Sequence, residues 1–206
     1  MNLSFSLLER ARRNPAKFGR NLTPASGGYN SRNFRAYLVH AIREFHGGKS
    51  KAEAMASFEE RCESRLCHQA HFRARLTHYQ AVLASYCDGF ASQNSPIIQM
   101  NKRARLDLGR HVLAGMIERF DMKIPTGFRA TGFQLYDGPW EEELRWPLIQ
   151  MGVAIELNCP QSEVEVGVFC FETGAYKYRT FTDPEIANAF DEATHVLTEV
   201  EANLPL

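Results

Sequence analysis

The chain predicts an α+β (α/β) domain: a central mixed sheet of about five strands flanked by helices, with residues 1–95 mainly helical and residues 96–206 forming the sheet core with its flanking helices. Three observations predict it. From Ser50 to about Asn94 the sequence is free of Gly and Pro apart from Gly89, which suits long helices. From Ile97 the runs "RARLDLG", "HVLAGMIERF" and "GFRATGFQLY" turn to alternation and to β-branched and aromatic residues, separated by Gly109-Arg110 and "KIPTG", the pattern of a three-stranded antiparallel meander. The remainder reads as helix, two strands and helix. With 206 residues the chain suits one domain able to bury its own core.

Each element has a local reason. Ser6-Leu7-Leu8-Glu9 has the form of a capping box, and the basic helix after it should stop near Asn14-Pro15, because the residue before proline avoids the helical region. After the loop "TPASGGYN", Phe34, Leu38, Ala41, Ile42 and Phe45 recur at helical spacing until Gly47-Gly48. Ser50 and Glu53 form a second capping box, opening one long helix or two consecutive ones. Beyond the meander, "EEELRWPLIQMGVAIEL" is of helical length, with Pro147 tolerable only in the first turn or at a kink. "EVEVGVFCF" and "AYKYRTF" are strands joined at Thr173-Gly174. The last helix has Thr182 or Asp183 as its cap, Pro184 at its start, Glu185 at the positive dipole end, and an apolar stripe of Ile186, Phe190, Ala193, Leu197 and Val200.

Charge is balanced overall, 24 Lys plus Arg against 24 Asp plus Glu, but unevenly placed. The first 36 residues hold Arg10, Arg12, Arg13, Lys17, Arg20, Arg32 and Arg35 against the one acid Glu9, whereas residues 137–206 hold fourteen acids against Arg145, Lys177 and Arg179. That asymmetry suits either a polyanion-facing N-terminal surface or solvated helix faces of differing sign. Five cysteines without a CxxC pair, and no signal peptide, suit reduced thiols in a cytoplasmic protein. Cys67 and His71 share a helical face but lack a second ligand pair, so zinc is not expected there. No stretch approaches the length of a membrane span, so no membrane partner is expected.

Several local patterns together resemble a known family. "LSFSLLERARRNPAKF" looks like an opening S-x-S-x-L … C-P-x-x-F with Asn14 at the cysteine, and "NFRAYLVHAIREF" like a helix G-x-x-x-H-x-x-L-E-x-F with His40 at the histidine. "VLAGMIERFD" is similar to L-x-G-x-I-D-R-I-D, with Glu118 and Asp121 at the two acids, and "GFRATGFQLYDG" falls where a strand ends in D-Y-K-T-G. In these motifs and in element order the chain resembles the RecB-like branch of the PD-(D/E)XK nuclease superfamily, which includes CRISPR-associated RecB-like exonucleases.

The resemblance implies a site for metal-dependent phosphodiester hydrolysis, which needs carboxylates to hold the ion and a lysine to position water and offset negative charge. Residues two apart on a strand share a face, so Asp-x-Lys would present both groups to one metal. Carried onto this chain, the first carboxylate is Glu118 and the histidine His40, but the second carboxylate falls on Gly132 and the lysine on Gln134. The family's helical Q-x-x-x-Y falls on Arg145 and Ile149. A single Glu with a His is a poor magnesium site. The vestigial site is therefore His40, Glu118 and Gln134, and no metal or other cofactor is expected; should ligands have migrated, His40 and Glu118 with Asp121 or Asp137 would hold Mg or Mn. Some members of the resembled family hold an iron–sulfur cluster with one early and three late cysteines; here none precedes Cys62 and only Cys159 and Cys170 lie late, so no such cluster is expected.

The resemblance and its lost groups together imply a catalytically degenerate nuclease fold that binds DNA or scaffolds a DNA-processing complex in repair, CRISPR adaptation or anti-phage defence. DNA contacts would come from Arg10, Arg12, Arg13, Lys17, Arg20 and Arg145. The alternatives are an active Mg/Mn-dependent DNA exonuclease with migrated ligands, and a protein-interaction subunit without DNA affinity. Trp140, Trp146 and Phe133 read as core or subunit-contact residues rather than base-stacking platforms. Glu118 has a plainer alternative, pairing with Arg119 or Arg129 at a strand end.

Overall fold

The computed structural model describes residues 1–22, 33–93 and 95–205; the loop "TPASGGYN" and Arg32 lie outside them. Helix α1 (Phe5–Arg13) comes directly after a three-residue strand β1 (Asn2–Ser4) that sequence reasoning missed. Its cap is Ser4, whose Oγ accepts from the Leu7 N–H at 3.2 Å, and not Ser6. Glu9 of the anticipated capping box accepts the Arg145 N–H instead. The physical reason is that β1 fixes the chain up to Ser4, which leaves Phe5, Leu8 and Ala11 as the buried stripe. Asn14 ends α1 as expected, then caps a short further helix α2 (Pro15–Arg20) by accepting from the Lys17 N–H, with Pro15 at its first position.

Helix α3 (Phe34–His46) is capped by Asn33, whose Oδ1 accepts from the Ala36 N–H, and ends at Gly47. The Gly- and Pro-poor stretch is two helices, α4 (Lys51–Leu66) and α5 (Phe72–Gln93), the first opened by the Ser50–Glu53 capping box. The meander is β2 (Ile97–Leu108), β3 (His111–Met122) and β4 (Phe128–Gln134). Helix α6 (Arg145–Leu157) carries Pro147 in its first turn, where no i−4 bond is lost. Strands β5 (Val164–Cys170) and β6 (Ala175–Arg179) turn at Gly174 (φ 65°). The closing helix α7 (Asp183–Ala202) begins with the Glu185 carboxylate accepting from the Thr182 N–H and hydroxyl.

These strands form one six-stranded mixed sheet, β1 adding the strand beyond the five anticipated. β2 runs antiparallel along the whole of β3. On the other side of β3, β1 pairs in parallel with Val112–Ala114, and β4 pairs antiparallel with Arg119–Met122. β4 and β5 are parallel, joined through α6, and β5 and β6 close the sheet antiparallel. Helices cover both faces, as β5 makes plain: Val164, Val166 and Val168 enter one apolar cluster with residues of α1, α6 and α7, while Phe169 and Phe171 enter a second with α3, α4 and α5. Among the described residues no helix is long and apolar enough to cross a membrane.

Candidate functional site

The β3–β4 pairing places Glu118 beside Gly132. The register pairs Arg119 with Thr131, so the preceding residue of β3 and the next residue of β4 come side by side. A Cβ built on Gly132 would lie 3.3 Å from Glu118 Oε2. On the other flank of β3 the ladder with β2 steps from Met100–Arg119 to Lys102–Ile117, passing Asn101 and Glu118, and Asn101 sits in the left-handed region at φ 54°. Glu118 lies on the wall of a cleft of ≈ 490 Å³ between α3 and the sheet, which Asn101 also lines.

That cleft is cationic. Besides Glu118 it is lined by Arg35, His40 and Arg43 of α3, Arg61 of α4 and Asn101. Arg35 donates to the Phe133 carbonyl at 3.4 Å, and Arg43 donates to Asn101 Oδ1 at 2.8 Å. Arg61 lies 3.2 Å from Glu44, which also takes Lys49 and faces His40 at 3.7 Å. Glu118 is half-buried. Burial raises its carboxyl pKa above the usual range, opposed by backbone hydrogen bonds from Glu118 itself and Phe133 and by the charges of Arg145 and Arg35. Among the described residues no cation pairs with it within 4.0 Å: Arg119 is taken by Asp121 and Arg129 by Glu165. The alternative strand-end pairing is thereby corrected, because both arginines project to other partners.

Gly132 is a glycine because something else fills its side-chain space. A Cβ there would lie 2.5 Å from Cη2 of Trp146, which enters from the first turn of α6. The indole is locked in turn, its Nε1–H donating to Glu143 at 3.1 Å and its ring packed edge-on to Trp140 at 5.7 Å. Trp140, Trp146 and Phe133 are buried, as expected from the sequence. Gln134 ends β4 with its Oε1 buried and without a partner among the described residues.

The candidate metal ligands do not converge. Asp121 is fully buried with its Oδ2 2.8 Å from Arg119 Nε, and Asp137 pairs with Lys177 at 2.5 Å. Among the described residues no three His, Cys, Asp or Glu side chains could hold an ion. One raised carboxyl, an exposed imidazole and a neutral amide do not fit a hard divalent cation, which takes six or more oxygen ligands. Cys67 is exposed at the end of α4 and joins no such group.

The N-terminal cations stand elsewhere. Arg10, Arg13, Lys17 and Arg20 are exposed on α1 and α2 and do not line this cleft; Arg12 is held by both oxygens of Glu192 on α7. Arg145 packs over the Trp146 ring and pairs with Glu143. The cleft cations Arg43 and Arg61 were not singled out from sequence. The usable signal is spacing: Arg35 and Arg43 flank His40 in "NFRAYLVHAIREF".

No family model matches the chain, and no curated protein sequence matches it. Among solved structures it is similar to the crystal structure of a "Putative exonuclease" from Eubacterium rectale, with a TM-score of 0.50 over 88% of this chain and 71% of that one, at 8% sequence identity. A structure of SSO0001, at 10% identity over 94% and 86% of the two chains, gives a TM-score of 0.31 and carries no argument. At 8% identity the first shows a shared fold and nothing finer.

Proposed function

We propose that this protein is a RecB-like nuclease fold that binds nucleic acid and does not cut it, either acting alone or scaffolding a cytoplasmic DNA-processing complex. The observation that carries the reading is Trp146 standing 2.5 Å from where a Gly132 Cβ would be: an indole fills the side-chain space at the position where the resemblance puts a second carboxylate. The cleft still offers arginines without a lysine-and-carboxylate centre. Guanidinium groups meet phosphates bidentately and supply the sequence-independent share of affinity, which weakens as added salt reduces the gain from counterion release.

The test is incubation of the protein with single- and double-stranded DNA, first at low and at higher salt for binding, then in manganese for cleavage, beside Glu118→Ala. The expected result is binding that falls with salt and no cleavage by either protein. Cleavage by the parent that Glu118→Ala abolishes overturns the reading in favour of an active metal-dependent exonuclease; absence of binding even at low salt overturns it in favour of a protein-interaction subunit.

A further inference from the structure

A second cleft, ≈ 560 Å³, adjoins the first and shares Asn33 and Arg35 with it. Neither the metal motif nor the N-terminal cations account for it. Its walls bring together Arg35, Arg75, His78 and two tyrosines, Tyr79 and Tyr136. The two rings differ. Tyr79 is stacked on Phe34 at 5.4 Å with its plane nearly parallel, so that face is taken. Tyr136 is 68% exposed, and among the described residues its ring meets no aromatic partner and its hydroxyl no hydrogen-bond partner.

An isolated exposed tyrosine needs no explanation; one that lines a cleft together with two guanidinium groups does. The residue after Tyr136 is tied down twice: the Asp137 N–H donates to Glu172 Oε2 at 2.7 Å, and Lys177 donates to Asp137 Oδ1 at 2.5 Å. Those bonds fix the backbone next to Tyr136, so the ring stays within reach of the cleft wall that it lines, with one face open to a stacking partner. Arg75 lies with its guanidinium 4.7 Å from the centre of the Phe34 ring and spends one donor on Gln69, leaving the rest of its five for an anion.

We propose that this second cleft is a nucleotide subsite, in which an unpaired base within a strand stacks on Tyr136 while Arg75, His78 and Arg35 meet its flanking phosphates. The inference rests on the nucleic-acid reading above and deepens it. Arg35, common to both clefts, carries the backbone from the Glu118 cleft into the second one. An aromatic face beside guanidinium groups is the combination that holds unpaired bases without regard to sequence, and the volume is within the range of small-ligand sites.

The experiment uses the full chain at low salt and a single-stranded oligonucleotide of about ten nucleotides carrying 2-aminopurine, whose fluorescence is quenched on stacking. The parent is expected to bind with quenching. Tyr136→Ala, harmless to a fold in which the side chain is mostly in water, should weaken binding about tenfold and remove the quenching. Tyr136→Phe should keep both, and Arg43→Ala, in the first cleft, should weaken binding and keep the quenching. If Tyr136→Ala binds and quenches as the parent does, the subsite is wrong while the wider nucleic-acid reading stands; if the parent itself does not bind, both fall.

Discussion

At Gly132 no backbone strain calls for glycine, since its φ is outside the left-handed region where Gly48, Gly109, Gly127 and Gly174 sit. The requirement comes chiefly from the neighbouring indole, at 2.5 Å, with Glu118 Oε2 at 3.3 Å a looser neighbour. Gly132→Ala should therefore cost about 1–3 kcal/mol through overpacking, and the same change made beside Trp146→Leu should cost much less, because the atom it strikes is gone. Denaturant titration of the two single variants and the pair measures the coupling; costs that simply add would show that the contact does not govern the position. The resemblance put Glu118 and Gly132 at one site, and their adjacency follows from the β3–β4 register, which the turn between the strands sets and period-two alternation alone does not. Trp146 was not readable in that role, because its approach depends on how α6 docks over the sheet, a tertiary fact with no local signature.

At the scale of elements, α3 is the part of the chain that does most to make the site. It supplies Arg35, His40 and Arg43 to one cleft while Phe34, Leu38, Ala41 and Ile42 anchor its other face. Its extent was plain from the apolar stripe and from Gly47. The shorter pieces were not: β1 is only three residues, too few for alternation to show, and α2 is hidden by a proline that ends one helix and begins the next. If α3 presents its arginines to phosphates, Arg35→Ala and Arg43→Ala should each weaken DNA binding for every sequence tested and lower the slope of log affinity against log salt by about 0.7 on single strands. Arg10→Ala and Arg13→Ala on α1 should leave that slope unchanged. Anisotropy titrations at several salt concentrations decide it, and equal slope changes from the α1 and α3 variants would remove the argument for the cleft.

Over the whole molecule, the sheet and the α3–α5 layer are tied by a buried arginine that the sequence suggested as a surface partner of Glu118. Arg119 and Asp121 are two apart on β3 and so share a face; both are fully buried. The guanidinium donates to Asp121, to the hydroxyls of Tyr86, Tyr176 and Tyr178, and to Gln93, joining α5, β3 and β6. Removing the arginine alone leaves a buried carboxylate unpaired, so Arg119→Leu should cost about 3–5 kcal/mol. The other partners keep a second bond: Tyr86 to His46, Tyr176 to the Tyr86 carbonyl, Tyr178 to Thr131, and Gln93 to Arg129. Only Asp121 is orphaned, its Oδ1 being without a partner already among the described residues. Arg119→Leu with Asp121→Leu should therefore recover more than half of the loss. Stability should also carry a pH signature, since burial pushes the Asp121 carboxyl from 3.8 up to about 6 against the pull of Arg119. A folded-state value above the unfolded one means that the carboxyl favours the fold below 3.8, and that this benefit is lost as pH rises through about 6. Deleting the carboxyl should accordingly shift the comparison toward the double variant, relative to the parent, between about pH 4 and pH 7. Denaturant midpoints across that range test it; a double variant no more stable than Arg119→Leu would mean that the tyrosines, and not the carboxylate, depend on the arginine.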